Sequence, residues 1–170
     1  ETHQLTSGQA EARLAAIGFR DPQGSLKHIA ALTNGVSRRA AIQRALLPVM
    51  LQWLSEGANP DHGLLTFRLL SEQLGESHWF LRMLRDSSGA AKRLTKVLSG
   101  SRYVSDLMEL IPESAAWFDG DEDLAPTPQD VLEAEVLAIL ARHHDDDDTA
   151  RKAVRSMRRR EVLRLAIGGI

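Results

Sequence analysis

The chain has 170 residues, 43 % of them hydrophobic, no cysteine and a formal net charge of −2. That is enough apolar material for a packed domain and argues against disorder. The lack of cysteine excludes disulfides, zinc–thiolate sites and thiol nucleophiles, and the balanced charge gives no overall attraction to nucleic acid or lipid. No apolar run approaches the ~18–20 residues of a bilayer crossing, and the first residues carry no secretory signal. The expectation is a cytoplasmic protein with no membrane partner. Residue 1 is Glu, none of the four methionines lies near the start, and the last residues, LRLAIGGI, break off in an apolar run. This is expected of a piece of a longer chain.

The pattern is helical from the start. A first helix is predicted over Gly8–Ile17, with Gly18 as its stop. Asp21-Pro22 then opens a segment carrying Leu26, Ile29 and Ala30. Ser37 can cap a helix with Ile42, Ala45, Leu46, Val49, Met50, Trp53 and Leu54 at i, i+3, i+4 and i+7 spacing. Pro48 inside it predicts a kink, and Gly57 ends it. Asn59-Pro60 opens the next helix, with Leu64, Phe67, Leu70 and Leu74 as its stripe. Shorter helices follow: Trp79, Phe80, Met83 and Leu84 after Ser77, then Ala91, Leu94, Val97 and Leu98. Ser101 opens one with Val104, Leu107, Met108 and Ile111, closed by Pro112.

The stretch Asp119–Pro126, DGDEDLAP, reads as an exposed acidic loop. Thr127-Pro128 repeats the cap-then-proline device, in which proline takes a position whose N–H would be unused. The helix it opens carries Leu132, Val136, Ile139 and Leu140. No segment alternates apolar and polar residues over the length of a strand. The reading is all-α: a multi-helix bundle of about eight to ten helices, several short, with no sheet. Its divisions are a main helical domain over 1–118, an acidic loop over 119–127 and a helical pair over 128–170.

Three clusters invite chemistry. His143–Asp148, HHDDDD, is the densest set of metal-ligand side chains. A helical metal site needs ligands at i and i+4 or i+3 on one face. Adjacent histidines instead diverge by about 100°. The preferred reading is a joint between helices, with histidines suiting one C-terminus and Asp147 or Asp148 capping the next helix. Asp119, Asp121 and Asp123 resemble the Asp-x-Asp pair that holds magnesium in nucleotidyltransferases. That pair sits on a strand after a Gly-Ser turn, and neither feature is present here; an EF-hand fails because Leu124 stands where glycine is required. Third, Arg151, Lys152, Arg155, Arg158, Arg159, Arg160 and Arg164 share the final helix. Without interleaved aromatics this suits a solvated or domain-docking face better than a site for single-stranded nucleic acid. The docking face is assigned to Arg155, Arg158, Arg159 and Arg160. No residue of the chain is assigned a catalytic, cofactor-binding or metal-binding role.

Four blocks together resemble one family: GFRDPQGSLKHIAALT at Gly18–Thr33, the long block Ser37–Gly75, WFLRMLRD at Trp79–Asp86, and SRYVSDLMELIPE at Ser101–Glu113. The family is the bifunctional glutamine synthetase adenylyltransferase and adenylyl-removing enzyme, in an actinobacterial style. The ending RRREVLRLAIGGI is similar to the helix leading into its second catalytic domain. The resemblance implies a parent with two nucleotidyltransferase domains, dependent on magnesium and ATP. One removes AMP from glutamine synthetase and the other adds it. It implies that this piece is the helical stretch before the adding domain. The implied partners are those flanking domains, glutamine synthetase and a PII-type signal protein, with no nucleic acid. The opposing reading is a magnesium–nucleotide unit in its own right; a helical nucleic-acid module ranks third.

Overall fold

A computed structural model describes residues 6–75 and 77–170. Among them are nine α-helices, two 3-10 segments and no strand, in agreement with the all-α reading. The chain divides into two compact units, Glu1–Asp119 and Gly120–Ile170.

The first unit holds α1 (Ser7–Ala16), α2 (Pro22–Thr33), α3 (Arg38–Ser55), α4 (Pro60–Leu74), α5 (His78–Asp86), α6 (Ser88–Gly100), α7 (Arg102–Leu110) and a 3-10 segment, Pro112–Asp119. Capping chemistry sets most of the starts. Thr6 and Gln9 form a reciprocal capping box on α1. Asp21, Ser37, Asn59, Ser87 and Ser101 each accept a backbone N–H three residues on, opening α2, α3, α4, α6 and α7. Ser77 does not cap α5; its hydroxyl donates back to the Leu74 carbonyl.

The helices α4 and α6 form the centre, packing on each other, with α3 and α7 also against both. Their approach is close because Gly63 faces Ser99. A Cβ on Gly63 would lie 2.8 Å from Leu54 Cδ2 and 2.9 Å from Ser99 Cβ. A Cβ on Gly57 would meet the same serine at Oγ, 2.1 Å away. The Ser99 carbonyl also accepts the Asn59 N–H at 2.9 Å, so the end of α6 anchors the turn into α4. Ser99 donates to the Thr95 carbonyl at 2.9 Å, which lets a hydroxyl sit in the core without an unmet bond. Around this contact Leu54, Leu64, Phe67, Leu70, Phe80 and Phe118 lose nearly all solvent exposure.

A second anchor joins two helix starts. Asp61, in the first turn of α4, accepts the Arg20 N–H at 2.9 Å and the Asp21 N–H at 3.0 Å, one on each carboxylate oxygen. One side chain thus fixes the loop that delivers Asp21 to cap α2.

The rotation of α3 differs from the expected stripe. Its buried residues are Ala40, Gln43, Leu47, Met50 and Leu54, whereas Ala45 and Val49 are exposed. The helix is apolar around much of its circumference, so spacing alone did not choose a face. The core takes the side where Gln43 meets Ser71 Oγ at 3.4 Å from α4. The helix runs through Pro48 unbroken.

The second unit holds a 3-10 turn, Asp121–Leu124, then α8 (Gln129–Arg142) and α9 (Asp147–Gly168). Within the stretch read as a loop, the short turn is held by α9: Arg164 donates to the Asp123 carbonyl. The Thr127-Pro128 expectation fails by one residue. The helix starts at Gln129, with Pro128 at the cap position and no side-chain cap bond. No residue of α8 is fully buried, and α9 buries Ala150, Leu163 and Ile167.

Candidate functional site

The basic helix α9 sorts its cations onto two sides. Arg151, Lys152, Arg155, Arg158 and Arg159 are exposed and have no ion-pair partner among the described residues. At 100° per residue they fall within about 120° of the circumference. Arg160 lies across the helix from Arg151 and Arg158. It makes a two-pronged bond to Glu135 of α8, at 3.0 and 2.8 Å, and a third bond to Glu161 at 2.9 Å. Of the four residues assigned to a docking face, Arg155, Arg158 and Arg159 therefore share a side, while Arg160 clasps α8 to α9.

The clasp shifts both acids. The hydrogen bond from Arg160 holds the Glu135 carboxyl below its usual range. Partial burial pushes Glu161 up, but bonds from Thr127 and Arg160 and the charge of Arg164 outweigh it and leave it lowered. Both groups thus favour the ionised form that binds arginine.

The HHDDDD stretch is a joint between helices. His143 ends α8, its N–H reaching the Ile139 carbonyl. The cap of α9 is Asp146, not Asp147 or Asp148: its Oδ1 accepts Thr149 N–H at 3.0 Å and its Oδ2 accepts the Thr149 hydroxyl at 2.5 Å. The Thr149 hydroxyl favours the aspartate three residues before it, because that side chain can take both the hydroxyl and the backbone N–H. Asp147 and Asp148 then occupy the first turn, where their charge suits the helix dipole. His144 pairs with its neighbour Asp145 at 2.9 Å, both well exposed. Asp119 ends one 3-10 segment, and Asp121 and Asp123 lie in the next.

Two features had no signal in the linear pattern. His62 Nε2 lies 2.8 Å from Ser105 Oγ, 3.3 Å from Asp106 Oδ1 and 3.5 Å from Thr66 Oγ1. The residue types match a nucleophilic triad, but the wiring does not. A triad places acid and nucleophile on opposite ring nitrogens; here all three oxygens crowd one nitrogen, and Ser105 also donates to the Arg102 carbonyl. The cluster ties α4 to α7. The second feature is a groove of about 770 Å³ among α1, α2 and α3, floored by Leu26, Ile29, Leu47 and Leu51. On its rim, Arg44 is held by the Thr33 and Gly35 carbonyls at 2.6 and 2.8 Å.

No family model and no solved structure matches the chain. Curated proteins do. An enzyme of Leifsonia xyli subsp. xyli is 67 % identical over 98 % of this chain and 16 % of its own length. Enzymes of Cutibacterium acnes and Streptomyces coelicolor are each 46 % identical over 98 % of the chain and 17 % of their own length. All three carry the name bifunctional glutamine synthetase adenylyltransferase/adenylyl-removing enzyme. The chain spans about a sixth of the length of the curated relatives it matches. Over nearly its whole length, the chain corresponds to one segment of the bifunctional glutamine synthetase adenylyltransferase/adenylyl-removing enzymes of actinobacteria.

Proposed function

We propose that this segment is a non-catalytic helical linker in a longer enzyme that adenylylates and deadenylylates glutamine synthetase in nitrogen regulation. It positions and couples two flanking nucleotidyltransferase domains in the cytoplasm. Magnesium and ATP are used by those domains, and a PII-type protein signals to them. The observation that carries this reading is an end-to-end match to one sixth of an enzyme whose name contains two opposed activities. The tightly packed first unit supports it: such a body sets distance and can transmit a change if its packing has two arrangements. The exposed arginines of α9 supply a surface for a flanking domain.

Two measurements test the proposal. Calorimetry of the 170-residue chain with magnesium and ATP is expected to show no stoichiometric binding; tight one-to-one binding would overturn it in favour of a nucleotide site. In the full-length enzyme, replacing this segment with a flexible linker of equal reach is expected to leave each activity measurable while abolishing their reciprocal response to nitrogen signals. An unchanged reciprocal response removes the coupling role.

A further inference from the structure

The outer side of α8 is unusually apolar for a surface helix. Leu137 is 67 % exposed and Leu140 49 % exposed, although Leu132, Val136 and Ile139 already give the helix a half-buried apolar side. A helix apolar around most of its circumference belongs between two partners, and α9 supplies one. Two concavities lie along this side. One of about 370 Å³ is lined by Gln129, Leu132, Glu133, Val136 and Leu137. The other, of about 470 Å³, is lined by Leu140 of α8 with Asp147, Ala150, Arg151, Val154 and Arg155 of α9. Arg158 continues the line Arg151, Arg155 at i, i+4, i+7. The result is an apolar track with Arg151 and Arg155 in its lining and Arg158 one turn further along the same side of α9, none of them ion-paired among the described residues; the acids on the track are Glu133 and Asp147 in its lining and Asp130, seven residues before Leu137.

We infer that this face seats a third helix, amphipathic and acidic along one edge, supplied by a part of the full-length family chain outside residues 1–170. Apolar residues of the incoming helix fill the track over Leu137 and Leu140, and its carboxylates meet Arg151, Arg155 and Arg158. Charge complementarity selects an acidic occupant. The source is argued from length: about five sixths of each relative lies outside the matched segment. A nucleic acid would satisfy the arginines but would leave the leucines uncovered. The inference rests on the segment's place in a longer enzyme, and not on its coupling of two activities.

Because the chain lacks cysteine, Leu137→Cys installs a single thiol on the face. Its labelling rate is read by mass spectrometry of the peptide containing it, in the 170-residue chain and in the full-length enzyme, after circular dichroism shows helicity unchanged. Labelling is expected to be at least about tenfold slower in the full-length enzyme. Adding R151E, R155E and R158E together is expected to return most of the rate. Equal rates in the two lengths overturn the inference. So does protection in the 170-residue chain that grows with concentration, which assigns the face to a second copy. Protection that survives the triple reversal overturns the acidic occupant. Adenylyl transfer and removal are assayed on the same full-length variant. Intact protection with uncoupled activities places the failure in the proposed function instead.

Discussion

The two units of this chain are helical for the same reasons and stable for different ones. In Glu1–Asp119, aromatic and aliphatic side chains are buried completely, and glycine and serine let α4 and α6 approach until their backbones nearly touch. In Gly120–Ile170, α8 buries nothing fully, and the pair is fastened by the Arg160 clasp and by Arg164 reaching the Asp123 carbonyl. A core of the first kind stands alone. A hairpin of the second kind adds a few polar bonds to a thin apolar seam and keeps apolar surface available.

The contrast is most easily broken at Phe67, which is 0 % exposed in the centre of the first unit. Phe67→Ala should cost about 3–5 kcal/mol in denaturant unfolding, whereas Leu137→Ala on exposed α8 should change stability by less than about 0.5 kcal/mol. Gly63→Ala comes next. It gains helix propensity but forces a methyl group against Leu54 and Ser99, for a net loss of about 1–3 kcal/mol. A neutral or stabilising result would mean that the α4–α6 approach is looser than described. Asp61→Ala removes the acceptor for two backbone N–H groups and should cost about 1–3 kcal/mol, with Asp61→Asn intermediate.

The clasp ranks below these three losses. Arg160→Met should destabilise α8 and α9 by about 1 kcal/mol, since the pair is about a third exposed and partly screened. Its pH dependence has a definite sign. Glu135 and Glu161 have carboxyl pKa values lowered in the folded chain, so their contribution is present above the ordinary carboxylate range. It is lost as acid carries the pH down through the lowered folded values. Thermal melts from neutral to acid pH should show the wild-type advantage over Arg160→Met shrinking in that window; an advantage that persists would assign the clasp to packing.

Local chemistry was legible where one side chain decides the outcome. The capping residues Asp21, Ser37, Asn59 and Ser101 act within three residues of themselves, so their helices begin where expected. The stripes of α4 and α6 were legible because their polar residues mark the outside. On α3 and α8, apolar residues occupy most of the circumference, and only the neighbours decide which side is covered. That is why Val49 and Leu140 are exposed, and it also leaves Trp79 38 % exposed at a position whose spacing suited the core. Long-range polar choices were invisible for a related reason. Nothing near Arg160 in sequence shows that Glu135 will remove it from the basic face. The His62 cluster and the groove beside α3 exist only once distant helices are placed.

Residue-resolved hydrogen exchange on the 170-residue chain tests most directly whether one unit is a self-sufficient core and the other an under-packed hairpin. Amides of α4 and α6 should exchange only through global unfolding, while those of α8 open at a free energy at least about 2 kcal/mol lower. Protection in α8 equal to that in α4 and α6 would contradict the account.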